Sequence, residues 1–544
     1  FGFILFGEKR LNSANDELNN DKKYLIKVIS SKVDINRFYS TDSEYEIIND
    51  LIDLSKPDKS VPTIFIWPEG MLTSTNLKDI HYYKDLFQLN FSNKHLIILG
   101  INDIKKDSKV ITVCSAPLTA VNGKRSSLTD VILNLGNDAA NGADVNIEII
   151  AKTYSKILSL VSDKHKVQCQ HIIDEMLLMT SELLANAKNQ GKFVDETRAK
   201  ALAYSGEVLM SHILNYILKS NDIKSESIAL DDWPIITDDN IESTNFLFTQ
   251  SNQHIEKLEE LIKQNEVVSL GGFIGKTQNG VITTYERGGS DRTAADIGIL
   301  LHKKYDTTID LEKDNSVVSA DPKIVSEELD DVKQMSYNEA RLAGMFGMKI
   351  IDPIAIKEIL ENGADLPVII TNITSPQKIT IIKRKPNDQN GHPLKIVTGK
   401  KNCAILRIES NSVSSLLDSL ENEKRYSEFV ILSPFTKDGL EFSRILFLDG
   451  DYVKRNEKYM LSFDSLATIA YERGVITLIG DEMWRVQQIA SKASSSIGTA
   501  GLNILNMDAQ EETSRIIIVI EDSGDNVAKA IQAIHSERSK IKFI

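Results

Sequence analysis

One stretch constrains this chain more than any other: a strand that enters a glycine hairpin and then a glycine-opened helix. Val267-Val268-Ser269-Leu270 is a continuous apolar run of the kind buried on both faces of a sheet. A glycine-rich hairpin follows from Gly271 to Gly280. Thr283-Thr284-Tyr285-Glu286-Arg287-Gly288-Gly289-Ser290-Asp291-Arg292-Thr293-Ala294 then leads into a helix. Two glycines leave the backbone bare, Ser290 is placed to cap, and helix N-terminal amides point outward. Such a turn favours phosphate or carboxylate, because unpaired N–H groups and the helix dipole attract anions. Arg287 adds a charge-assisted fork. Taken alone, a Gly-Gly-Ser-Asp helix start is also ordinary capping chemistry.

At about 150 residues per domain, 544 residues imply three or four domains. The balance of 63 basic against 77 acidic side chains, net charge -14, argues against general affinity for nucleic acid or anionic membrane, both polyanions. Cys114, Cys169 and Cys403 lie far apart with no CxxC pair, and no HxxxH spacing occurs, so a disulfide framework or structural metal is not expected. No run of about 18 apolar residues is present to span a bilayer. The apolar opening Phe1 to Gly7 lacks a basic leader and an initiating Met, and reads as the tail of something cut away. A reduced, cytoplasmic protein is expected.

The chain divides into three blocks, 1–102, 103–355 and 356–544. In the first, strands at Tyr24 to Ile29, Thr63 to Trp67 and Leu96 to Leu99 alternate with helices at Glu44 to Leu54 and Tyr82 to Leu89, an α/β pattern. The second opens with the strand Val110 to Val113. Its long helices carry apolar stripes at Ile150, Tyr154, Ile157, Val161 and at Ile172, Met176, Met179, Leu183, which read as helix packing. In the third, strands at Ala404 to Ile408 and Val475 to Ile479 begin two strand–helix–strand units. The second unit continues through a helix Val486 to Ala500, strands Ile504 to Met507 and Ile516 to Ile520, and a helix Asn526 to His535.

Gly272-Phe273-Ile274-Gly275, Gly280, Thr283-Thr284 and Arg287 to Asp291 resemble the nucleotide and substrate hairpin of the aspartate kinases. The resemblance runs on in order through Val113 to Ala116, Leu128-Thr129-Asp130, Ser205 to Ser211, Thr237 to Asn240, Ala320-Asp321-Pro322, Ser336 to Ala340 and Phe346 to Pro353. It covers roughly residues 109 to 355. The third block resembles paired ACT regulatory modules, the second closely and the first loosely. The resemblance implies a three-layer α/β/α amino-acid-kinase sheet followed by ferredoxin-like ACT modules. It implies phosphorylation of L-aspartate by ATP with Mg²⁺ to 4-phospho-L-aspartate, the first step of the lysine, threonine and methionine pathway. Also implied are feedback by lysine or threonine, and a homo-oligomer joined through the ACT modules. By the same resemblance Thr129, Glu207, Arg287 and Ser290 hold aspartate, with Glu207 on its α-amino group. Gly288, Gly289, Asp291, Lys323 and Lys349 serve the nucleotide or the transferred phosphate. No protein ligand set for a metal is implied.

Several positions depart from that pattern. The family's opening strand, ending Lys-Phe-Gly-Gly, has no counterpart before Val110, which is expected to leave a sheet edge unpaired. Losing one preorganised donor to a developing anion costs about 3–4 kcal/mol, roughly 10²–10³ in rate. Glu312-Lys313-Asp314-Asn315-Ser316 replaces a Thr-Asp-Val-Asp-Gly segment, Val318 and Lys323 replace a tyrosine and an arginine, and Glu286 replaces a glycine. Residues 1–102, through Leu25 to Val28, Ile64 to Gly70 and Leu96 to Asn102, resemble the start of the carbon–nitrogen hydrolase domain of apolipoprotein N-acyltransferases, a truncated nitrilase-like α/β segment. Glu69 stands there as the family's general base; a Pro-Glu turn after a strand is equally an ordinary turn. Two rival readings are a catalytically dead amino-acid sensor and a fragment of a membrane acyltransferase.

Overall fold

In the computed structural model the chain forms two compact units, Phe1–Lys109 and Val110–Ile544. The residues described are 25–28, 44–67, 72–76, 83–92, 94–98, 101–102, 108–121, 123–286, 288–376, 378–386, 392–422, 428–481, 483–510 and 513–541.

The first unit has a parallel three-stranded sheet, Leu25–Val28, Thr63–Ile66, His95–Ile98, in that order. Its core is small: Ile48, Leu51 and Ile52 of the Glu44–Ser55 helix pack with Phe65, Trp67 and Phe91. Trp67 Nε1 donates to Ser55 Oγ at 2.8 Å, so the indole is buried without an unanswered donor. Glu69 lies outside the described residues.

In the second unit the apolar run forms the strand Val267–Gly271, flanked in parallel by Val110–Cys114 and Ser225–Ser227. Being central, it is buried on both faces, as a continuous apolar pattern requires. Among the described residues no strand pairs with the outer side of Val110–Cys114. A second sheet joins Ile309–Lys313, Val368–Asn372, Ile379–Lys383 and Gln334–Ser336 in that order. The boundary read at 355 is therefore too early: strands to Lys383 complete the sheet that Ile309–Lys313 begins.

The first helical stripe is as read at Ile150 and Tyr154, both fully buried on the Glu148–Leu158 helix; in its last turn Leu158 is buried and Ile157 half-buried, and buried Val161 lies beyond the helix end. The second is displaced by one position. On the Asp163–Gln190 helix the buried residues are Cys169, Ile173, Leu177, Thr180, Leu184 and Ala187, whereas Met179 is 37% exposed. Two apolar rows adjoin on this helix; the one punctuated by small Thr180 and Ala187 admits close approach of neighbouring helices.

The C-terminal region is one six-stranded antiparallel sheet in the order Phe429–Lys437, Leu440–Phe447, Ile396–Glu409, Thr468–Ile479, Arg515–Glu521, Ile504–Ala509. Each outer pair makes a ferredoxin-like module with the same two long central strands. These strands start earlier than the sequence pattern indicated, at Ile396 and Thr468, because each extends through both modules. The helices Val413–Asn422 and Gly450–Leu461 cover one module. Ile489–Thr499 and Asn526–Ser536 cover the other. On the opposite face Val475, Ile479, Ile517 and Val519 share a core with Met345, Phe346, Ile350 and Ile351.

Candidate functional site

Three helices begin near the C-terminal ends of Val110–Cys114 and Val267–Gly271, the usual ligand crevice of a parallel sheet. Ser127 caps the first, Leu128–Ala140, by accepting from Asp130 N. The second is Glu207–Ser220 and the third Gly289–Leu301. Gly272 N donates to Cys114 O at 2.7 Å, tying the two strand ends together. A side chain at Gly271 would come within 2.8 Å of the Glu207 and Val208 backbone, so the strand runs directly under the second helix start.

Thr129 Oγ1 donates to Glu207 Oε1 at 3.2 Å, and Ala116 N also bonds this carboxylate. Glu207 is 4% exposed, and its Oε2 is buried without a hydrogen-bond partner. Burial pushes its acid up to about 7, against the lowering effect of hydrogen bonds from its own backbone, Thr129 and Ala116. A buried carboxylate oxygen with no donor is suited to receive an ammonium. Ser115 Oγ donates to Ser290 Oγ at 3.1 Å, bringing the third helix start to the strand end that carries Ala116. Thr129, Glu207 and Ser290 thus gather at one end of the sheet. Arg287 lies outside the described residues.

Gly288 has φ +93°, a conformation glycine adopts without strain, and a Cβ there would meet Asp352 Oδ2 at 2.8 Å. Asp291 turns into the protein: Lys313 Nζ donates to both its carboxylate oxygens at 2.8 and 2.9 Å, and Asp352 N donates at 3.2 Å. Lys313 and Asp352 were not singled out from sequence as site residues. The available signal was the alternation Ile309, Leu311, Lys313, which puts the lysine on the strand face that buries Ile309 and Leu311. Burial raises the Asp352 acid to about 6. Lys349 is exposed. Lys323 is also exposed, on a turn where its N–H donates to Asp321 and where Gln532 reaches Ile324 O. No described hydrogen bond or ion pair joins either lysine to the Thr129–Glu207–Ser290 group.

A separate cavity of about 450 Å³ lies in the last module, lined by residues including Trp484, Gln488, Ser491, Ser514 and Arg515. Beside it, Asp481 N donates to Glu339 Oε1 at 2.6 Å, and Ser514 Oγ and Ser336 Oγ donate to Asp481 Oδ1. Lys395 Nζ donates to Glu339 Oε2 at 3.0 Å in a buried ion pair. Glu339 also completes the capping box that starts the Tyr337–Met345 helix.

A family model described as the amino acid kinase family matches residues 97–372. An aspartokinase of Rickettsia felis is 28% identical over 39% of this chain and 51% of its own length. A chloroplastic bifunctional aspartokinase/homoserine dehydrogenase 2 of Arabidopsis thaliana is 23% identical over 76% of this chain and 46% of its own. The chain thus spans about half the length of these curated relatives. E. coli aspartokinase III in complex with aspartate and ADP shares the fold over 87% of this chain and 99% of its own, with TM-score 0.60 and 15% identity.

Proposed function

The chain belongs to the amino acid kinase family, and we propose that it phosphorylates L-aspartate with ATP, giving 4-phospho-L-aspartate and ADP. The observation that carries this reading is the unanswered Oε2 of buried Glu207, held by Thr129 at the crevice where the glycine loop begins. An α-ammonium fills that vacant acceptor. The substrate's side-chain carboxylate is already ionised at neutral pH, so no general base is needed. Positioning and neutralisation of phosphate charge supply the rate.

In this reading Thr129, Glu207, Ser290 and Arg287 orient aspartate, while Gly288, Gly289 and Asp291 shape the phosphate loop. Lys349 and Lys323 serve the nucleotide only if substrate binding draws them toward the crevice. Bound Mg²⁺ would supply neutralisation of phosphate charge, and Asp352, whose Oδ2 lies against Gly288, would be the carboxylate to hold it there. The product opens the lysine, threonine and methionine pathway in the cytoplasm. Lysine or threonine binds the C-terminal modules, and pairing of those modules between copies gives a homo-oligomer.

Aspartate-dependent ADP release in a coupled assay tests the reading. Calorimetry with ATP separates it from an amino-acid sensor: lysine or threonine binding without ATP binding favours the sensor.

A further inference from the structure

Beneath the glycine loop four polar side chains are buried together. Tyr285 closes the strand before the loop, and Arg292 and Asp296 lie on the helix after it. Glu358 comes from the Pro353–Glu361 helix. Arg292 is 3% exposed, Asp296 is fully buried and Tyr285 is 1% exposed. Arg292 Nη2 donates to Glu358 Oε1 at 2.6 Å, and its guanidinium stacks 4.1 Å from the Tyr285 ring centre. Tyr285 OH donates to Asp296 Oδ2.

Asp296 Oδ1 is buried and receives no donor from the groups around it, and the Asp296 carboxyl neighbours that of Glu358. Two carboxylates form a hydrogen bond only by sharing a proton. With that proton the group is neutral, Arg292 positive against Glu358 negative. Without it, an uncompensated negative charge is buried. The other charged groups facing the cluster do not supply a spare cation: Asp352 and Asp291 are acidic, Lys313 is bound to Asp291, and Glu361 pairs with Lys357 at the surface. Burial drives the Asp296 acid well above the carboxylate range, and the Glu358 charge adds to it.

The ring lies directly under the backbone that carries Gly288 to Asp291. A Cβ at Gly289 would fall 2.6 Å from Tyr285 Cβ, and Asp352, at the start of the helix that bears Glu358, lies against Gly288. We propose that Asp296 is held as a neutral acid whose proton bridges to Glu358, and that the closed Tyr285–Asp296–Glu358–Arg292 ring is the positioning element that keeps the Gly288–Asp291 backbone in its anion-binding shape. The nucleotide readout of this proposal rests on the phosphoryl-transfer reading; the proton and the loop do not.

Asp296→Asn and Asp296→Leu test it in the full chain. The amide of Asn both donates and accepts, as the protonated acid does, whereas Leu does neither. A native acid raised above its unfolded value weakens the fold as pH rises above about 4. The melting temperature of D296N relative to the parent therefore increases from pH 4 to pH 8. A difference that stays flat or falls overturns the neutral acid. In D296L, hydrogen exchange at the Gly288–Asp291 amides accelerates and the Kd for ATP rises about tenfold, while D296N restores both. Parent-like exchange in D296L overturns the positioning role. If the parent binds no ATP, the phosphoryl-transfer reading fails, and the melting and exchange measurements still decide the proposal.

Discussion

Thr129 Oγ1 reaches Glu207 Oε1 across 3.2 Å, joining the starts of two helices that lie 78 residues apart in the chain. This contact leaves the second carboxylate oxygen of Glu207 buried and vacant, and the first prediction follows from it.

Binding an ammonium requires Glu207 ionised, yet burial holds its acid at about 7. Aspartate binding at pH 6.5 should therefore release most of a proton per site, about 0.8, read from the buffer dependence of the calorimetric heat. The KM for aspartate should rise about tenfold per pH unit below 7. Glu207→Gln should raise the aspartate Kd at least about tenfold and abolish the proton release. A pH-independent aspartate affinity between pH 5.5 and 8 would falsify the assignment of Glu207 to the α-amino group.

Lysine or threonine at a hundredfold excess over its Kd should stabilise the chain by about 2.7 kcal/mol through mass action. Differential scanning fluorimetry reads this as an upward shift in Tm. Arg515 borders the 450 Å³ cavity in the last module, and its Nε is buried without a partner. Arg515→Ala should abolish the shift if the effector carboxylate binds there. Absence of a shift with both amino acids counts against effector sensitivity.

The Glu339–Lys395 pair ties the Tyr337–Met345 helix to the C-terminal sheet in a nearly dry setting. Lys395→Met leaves Glu339 buried without its cation, and should cost about 3–5 kcal/mol of stability in denaturant unfolding. Glu339→Gln paired with Lys395→Met should recover much of that loss, since no isolated charge then remains. A single-variant cost below about 1 kcal/mol would show that water reaches the pair.

Val110–Cys114 has an unpaired side among the described residues, and no glycine-flanked lysine of the Lys-Phe-Gly-Gly kind precedes it. Turnover of aspartate should accordingly be slow. Replacing residues 1–102 with a family-type first strand and its helix should raise kcat at least about 10²-fold. Rapid aspartate-dependent ADP release by the unaltered chain would refute this.

Much of the molecule was legible from local pattern. The run Val267 to Leu270 had to be a buried strand, because four consecutive residues with so little polar surface need cover on both faces. The Gly288-Gly289 helix start was visible because a positive φ and a bare backbone select glycine, but Gly288 takes the cap position and Ser290 lies within the first turn without capping it. Amphipathic period placed the Asn526–Ser536 helix at almost its observed bounds. Thr129, Glu207 and Ser290 were named through the order of their motifs, and they do meet at one end of the sheet.

What only the tertiary structure decided concerns partners distant in sequence. Lys313 became the counter-ion of Asp291 because a strand end and a helix start, 22 residues apart, were packed side by side. On the Asp163–Gln190 helix two apolar rows were equally available, and neighbouring helices chose the one with small residues. The strands Ile396–Glu409 and Thr468–Ile479 outran their local signal because their first halves answer hydrogen bonds from the other module. Asp296 and Glu358 look like ordinary helical acids in the sequence. Their shared proton is a property of burial, since a carboxylate's charge is set by the dielectric and donors around it, and no local residue pattern contains that information.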